Sequence, residues 1–159
     1  MSTYIELLFD VTFYVAAPFW ALMIFAPGWS VTRRIIGSPL IVLPPLVVFV
    51  LVMGPDLGAF LAAVSRPTLD GVQALVSSPE GTAAIWAQVI AWDLFIGRWM
   101  YLDSRERRIH PLVMAPVLLV TILISPLGLP AYFALRLPLT RRRDQAAADT
   151  AGRTTAVAG

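Results

Sequence analysis

Four apolar stretches, bounded by proline, glycine or arginine, make up most of this chain. They cover residues 5–26, 39–56, 80–102 and 111–136. A helix needs about 20 apolar residues to cross a hydrocarbon layer about 30 Å thick. The first, third and fourth stretches reach that length, whereas the second is short and meets the sequence GPDLG at residues 54–58. The pattern predicts an all-α integral membrane protein with four transmembrane helices.

Composition supports a membrane protein and narrows its chemistry. Hydrophobic residues form 58% of the 159 residues, whereas an ordinary soluble domain has about 45–50%. The chain has no cysteine and a single histidine, His110, so we expect no thiolate or multi-histidine metal site. Its basic residues are all arginine and lie beside the apolar stretches, as in membrane anchors. We therefore expect membrane lipid and no nucleic acid as a partner.

The chain is expected to form one transmembrane domain over residues 1–138 and a disordered polar tail over 139–159, which is rich in small residues. The second and fourth stretches begin alike, with SPLIVLPPLVV and HPLVMAPVLLV, each soon after an arginine pair. This likeness suggests two similar helical hairpins. Ser78 is a predicted N-cap for the third helix, with Pro79 at its first position.

Two charged residues interrupt the third stretch. Asp93 lies about 18 Å along the helix from Gly81, near the middle of a bilayer, where a carboxylate facing lipid costs about 2.5–3.5 kcal/mol. We expect Asp93 to face the protein interior, and Arg98 to reach the membrane surface and bind a carboxylate or a lipid headgroup. A functional site and a hydrogen-bonded tie between helices both explain these residues.

Neighbouring residues extend the candidate site. Trp86 and Gly97 share a helix face with Asp93 and predict an aromatic wall beside an open slot. On the first helix, a stripe beginning with Glu6 and Asp10 predicts the inward face. That stripe continues through Phe13, Ala17 and Ala21.

Segments 18–34, 77–106 and 125–133 together resemble the neoxanthin-synthase-like membrane family, which includes the plant abscisic-acid-deficient-four type. The resemblance spans most of residues 8–136 and implies a part in converting violaxanthin to neoxanthin. Gln88 departs from the plant pattern, which has histidine there, and the arginine-only composition suggests a bacterial member in the plasma membrane. The most specific motif comprises Trp86, Asp93, Leu94, Phe95, Arg98, Tyr101, Asp103 and Glu106.

The chemistry implied by this resemblance is a cofactor-free isomerisation of an epoxide to an allenic alcohol. It needs an acid at the epoxide oxygen and a base at the polyene. Asp93 is the candidate acid if its carboxyl is neutral, a state that desolvation favours and the nearby Arg98 opposes. Another carboxylate or a water held by Gln88 is the candidate base, and Arg98 completes the catalytic set. The remaining predicted roles are ligand binding by Trp86, Gly97, Trp20 and Tyr101, and support of the adjoining loop by Asp103 and Glu106.

The sequence therefore predicts an isomerase that acts on an epoxy-carotenoid, a xanthophyll, or on a related isoprenoid. The alternative is a non-catalytic membrane subunit that binds a lipid or pigment, or assists a partner enzyme. A small transporter is a third and weaker alternative. Each of these functional hypotheses is compatible with a homo-oligomer or a hetero-oligomer.

Overall fold

The computed structural model describes residues 2–137, and regular structure within that range is helical throughout. The all-α prediction is confirmed. The predicted polar tail lies outside the described residues. The helices are α1 (Ser2–Phe25), α2 (Ser30–Gly37), α3 (Leu43–Met53), α4 (Leu57–Ser65), α5 (Leu69–Ser77), α6 (Pro79–Glu106) and α7 (Pro111–Leu123), with 3-10 turns at Pro39–Val42 and Gly54–Asp56.

The chain divides into two compact units, the first ending at Ala115 and the second beginning at Pro116. In the first unit, α6 packs against both α1 and α3, and these two helices also touch each other. The apolar core at one end of this bundle combines residues from all three helices: Ile5, Leu8, Val48, Val52, Met53, Ala83, Ala84 and Ala87.

Helices α1 and α6 run parallel. The rings of Phe9 and Trp86 stack with their centroids 5.4 Å apart, and the ring of Trp20 lies against Gly97. The two contacts are separated by the same number of residues on each helix. The helices therefore keep a constant register between them, which places Asp93 level with the buried Ala16.

The inward face of α1 differs from the predicted stripe. Glu6, Asp10 and Phe13 are exposed. The buried face is instead apolar or carries a hydroxyl that bonds locally, as Thr12 does through its hydroxyl donating to the Leu8 carbonyl at 2.7 Å. The two carboxylates lie outside this face, since burying a charge without a partner costs free energy. The buried face comprises Ile5, Leu8, Thr12, Ala16, Trp20 and Met23.

The second apolar stretch is longer than predicted. Helical backbone extends over Pro39–Ser65, a length of 27 residues. The sequence GPDLG does not end it, because Pro55 sits at the start of a 3-10 turn, where its missing N–H costs no internal hydrogen bond. The short helix α5 follows, which the apolar pattern did not predict.

The start of α6 is confirmed at Ser78. Its hydroxyl accepts a hydrogen bond from the Gly81 N–H at 3.0 Å and donates one to the Leu75 carbonyl at 2.8 Å. Ser78 thus caps α6 while satisfying the end of α5. Gly81 is required by this tight junction, since a Cβ there would collide with Leu75.

Two helical stretches in the described range, Thr3–Phe25 and Pro39–Ser65, are long and apolar enough to cross a membrane. The prediction of four transmembrane helices is therefore not confirmed. Helix α6 is long enough, at 28 residues, but its charged residues reduce its apolar character. Helix α7 has only 13 residues.

In the second unit, the helix that includes Leu118 ends at a bend at Ile124, and residues 125–137 are again helical. The sequence SPLGLP, residues 125–130, follows this bend directly. Gly128 packs directly on Thr121, whose hydroxyl donates to the Val117 carbonyl at 2.9 Å. The likeness of two hairpins stays a prediction.

Candidate functional site

Asp93 is buried within the bundle, with 4% of its surface exposed. It lies on the face of α6 that also carries Trp86 and Gly97, both of which contact α1. At the same level of α1, the small side chain of Ala16 is also buried. Burying a carboxyl costs free energy unless the group is hydrogen-bonded or paired with an opposite charge.

Gln88 is not brought to Asp93. It is exposed, and five residues along a helix correspond to a rotation of about 140°. A water held by Gln88 would therefore lie on a different face of α6 from the carboxyl. The role of Gln88 in catalysis stays a prediction, and the geometry gives it no support.

Arg98 binds backbone carbonyls at the end of α2. Its Nε donates to the Ser38 carbonyl at 3.3 Å, and its Nη2 donates to the Gly37 carbonyl. These are carbonyls that a helix end leaves without internal partners, and they carry the negative end of the helix dipole. The sequence had led us to expect a carboxylate or a lipid headgroup as the partner of Arg98. The apolar pattern did not predict α2, and that helix supplies carbonyl acceptors instead.

The predicted ligand-binding residues make contacts between helices. The slot beside Gly97 is filled by the Trp20 ring, and Trp86 stacks on Phe9. The Tyr101 hydroxyl donates to the Pro27 carbonyl at 2.8 Å, which ties α6 to the turn between α1 and α2. Ligand binding by these side chains stays a prediction.

The end of α6 is fixed partly by Asp103, which forms an ion pair with Arg107 at 2.7 Å. The next turn also needs Arg108 in a left-handed conformation, with φ of 54°, and the Ile109 N–H donates to the Ser104 carbonyl. Glu106 is exposed, and its support of the loop stays a prediction.

An apolar groove of about 280 Å³ lies on the other side of α6, where it faces α3. Trp92 is 62% exposed at its edge. Helical geometry points Asp93 away from this groove. The groove was not predicted, although the spacing of three between Trp92 and Phe95 places two aromatic rings on one face of α6. The groove is lined by Val42, Leu46, Ala91, Trp92 and Phe95.

A second cavity, of about 490 Å³, opens near the start of α1. Its two carboxylates, Glu6 and Asp10, belong to the stripe that was predicted to face inward. The other lining residues are Ile5, Phe9, Ser77, Pro79, Thr82 and Ala83.

Over residues 2–137, these features define an all-α protein with two helical stretches of membrane-spanning length and one buried carboxyl between parallel helices. The chain belongs to the ABA DEFICIENT 4-like family, whose model matches residues 7–132. The resemblance to this family is therefore confirmed.

The chain is similar to Protein ABA DEFICIENT 4, chloroplastic, of Arabidopsis thaliana. The two are 28% identical over 125 residues, which cover 75% of this chain and 56% of the relative. The match thus spans little more than half of that relative's length. No solved structure matches this chain.

Proposed function

We propose that this protein acts on a carotenoid or a related isoprenoid within a membrane. Membership of the ABA DEFICIENT 4-like family supports a carotenoid-related role. The two apolar helical stretches support membrane association, by their length and composition. A long apolar polyene dissolves in the hydrocarbon layer, so its enzyme is best placed there.

The finer proposal is an isomerase that opens an epoxide to an allenic alcohol. The observation that carries it is the buried carboxyl of Asp93, which is 4% exposed in the middle of α6. A protonated carboxyl held away from water can give its proton to an epoxide oxygen without competition from solvent. The acid role requires that Asp93 holds its proton when the epoxide arrives.

The reaction balances with this one carboxyl. Asp93 gives its proton to the epoxide oxygen as the carbon–oxygen bond breaks, and the bonding electrons remain on oxygen. A carbon–hydrogen bond of the polyene then breaks, and its electrons form the new double bond of the allene. The carboxylate left on Asp93 accepts that proton, which restores the starting acid. No second base is needed in this scheme, in keeping with the distant position of Gln88.

The test is to produce the protein in cells that accumulate violaxanthin and to separate the pigments by chromatography. We expect the wild-type chain to yield an allenic isomer and Asp93→Asn to lose about 10²–10⁴-fold in rate. Asp70→Asn is the matched control, since Asp70 is exposed in α5. A folded Asp93→Asn protein with unchanged turnover would contradict the acid role.

A non-catalytic pigment-binding subunit is the second candidate, and the apolar groove favours it. A pigment lying against Trp92 and Phe95 would not meet Asp93, because the carboxyl points away from that groove. In that case, wild-type protein binds the pigment and leaves it unchanged. Trp92→Ala would then weaken binding, while Asp93→Asn would not.

A further inference from the structure

One end of the bundle carries two arginines without acidic partners. Neither Arg33 nor Arg105 forms an ion pair with any carboxylate in residues 2–137, where Asp103 pairs instead with Arg107. The Nε of Arg105 is buried and has no hydrogen-bond partner among the described residues. A buried N–H of a charged group without an acceptor is costly, so an acceptor from outside the chain would stabilise it.

The two arginines lie near the same point. Arg105 follows Tyr101 by one helical turn on α6, so both side chains occupy one face. The Tyr101 hydroxyl donates to the Pro27 carbonyl in the α1–α2 turn, two residues before the N-cap of the helix that carries Arg33. Burial raises the pKa of the Tyr101 phenol, and the nearby positive charges of Arg105 and Arg33 oppose this rise. The structure thus places two positive groups around one turn of the backbone.

The start of α2 adds to this positive region. Its N-cap position, Trp29, makes no side-chain hydrogen bond to the helix, so the first N–H groups of α2 have no side-chain cap. The side chain of Arg33 leans toward this end, since helical side chains tilt toward the N-terminus. Free N–H groups and the helix dipole attract anions.

Exposed aromatic side chains border the same turn. Phe25 is 83% exposed and Trp29 is 54% exposed. Aromatic rings beside arginines are typical of the level where lipid headgroups meet hydrocarbon. Apolar rings next to a cationic pocket fit an amphiphile better than a small soluble anion.

We propose that Arg33, Arg105 and the start of α2 form a binding site for the phosphate of an anionic membrane lipid. Guanidinium groups bind phosphate oxygens through paired, charge-assisted hydrogen bonds. The acyl chains of the lipid lie along the hydrocarbon surface beside Phe25 and Trp29. The site is separate from Asp93 and does not depend on the proposed isomerase activity.

The experiment is native mass spectrometry of the full chain in a neutral detergent, titrated with phosphatidylglycerol or with zwitterionic phosphatidylcholine. We expect the protein to retain phosphatidylglycerol and to bind it about tenfold more tightly than phosphatidylcholine. Arg33→Gln and Arg105→Gln should each weaken phosphatidylglycerol binding by about tenfold, as for the loss of one charged hydrogen bond. Equal retention of the two lipids by the wild type would overturn the proposal.

Arg34→Gln is the matched control, because Arg34 is an exposed neighbour on α2. It removes the same charge, but its side chain projects from α2 about 100° away from that of Arg33, so we expect the affinity to change less than about threefold. A loss equal to that of Arg33→Gln would indicate a diffuse charge effect and overturn the site.

A competition with phosphate and a folding control complete the experiment. Excess inorganic phosphate should leave the bound lipid in place, and its displacement would assign the pocket to a soluble anion. Arg33 is exposed, so Arg33→Gln should fold even if Arg105→Gln does not. Unchanged phosphatidylglycerol affinity in the folded Arg33→Gln protein would alone refute the proposal.

Discussion

The Trp20 ring occupies the space that any side chain at Gly97 would need. A Cβ added to Gly97 would lie 2.6 Å from Cζ3 of that ring. Trp20 is itself 5% exposed, so the ring has little room to move. This contact sets the distance between α1 and α6 one helical turn beyond Asp93.

Gly97→Ala should therefore lower the stability of the bundle. Overpacking of this kind costs about 1–3 kcal/mol, which exceeds the gain of about 0.5–1 kcal/mol from replacing a helical glycine by alanine. Thermal unfolding in detergent measures the change. Gly58→Ala is the control, because no atom lies within 4 Å of a Cβ at that helical position, and it should leave stability unchanged or raised. Recovery of stability on adding Trp20→Leu to Gly97→Ala would identify the ring as the cause.

Arg98→Lys should also destabilise the protein although it keeps the positive charge. A lysine ammonium lacks the planar fork that donates to the Gly37 and Ser38 carbonyls together. Loss of one charged hydrogen bond costs about 1.5–3 kcal/mol. The midpoint of thermal unfolding reports the loss, with Arg34→Lys on the exposed surface of α2 as control. An Arg98→Lys protein that unfolds at the wild-type temperature would show that these carbonyl contacts contribute little.

Tyr101→Phe isolates a single hydrogen bond. The substitution removes only the hydroxyl that donates to the half-buried Pro27 carbonyl, and such a hydrogen bond contributes about 0.5–1.5 kcal/mol. We expect a lower unfolding temperature and faster amide exchange in the α1–α2 turn. Tyr14→Phe is the matched control, since Tyr14 is exposed on α1. Equal effects of the two variants would argue against a role for this bond.

Much of the fold could be predicted from periodicity and helix punctuation. The start of α6 at Ser78 and Pro79 follows from local chemistry, because the cap and the proline act within one turn. The burial of Asp93 follows from the cost of charge in an apolar bundle. The short helices α2 and α5 were missed because neither is long and apolar enough to appear as a block.

The partners within the site could not be predicted from the sequence. The slot beside Gly97 follows correctly from its missing side chain, but its occupant, Trp20, comes from a helix far away in sequence. The same limit applies to Arg98, whose acceptors exist only because α2 ends beside it. The buried face of α1 was predicted one position out of phase. Spacing alone does not reveal which of two neighbouring helix faces costs less free energy to bury.

The parallel register of α1 and α6 leads to a cross-linking prediction. The chain has no cysteine, so pairs can be introduced without removing native thiols. The Phe9 and Trp86 rings stack at 5.4 Å, and Phe9→Cys with Trp86→Cys should be joined by a short bis-maleimide. Phe9→Cys with Ile96→Cys should not be joined, because Ile96 lies about 15 Å further along α6 than Trp86. After protease cleavage between the helices, the two fragments of a linked chain stay together on a denaturing gel, whereas unlinked fragments separate. Linkage of the second pair and not of the first would mean that the helices pack in a different register, and would remove Asp93 from the level of Ala16.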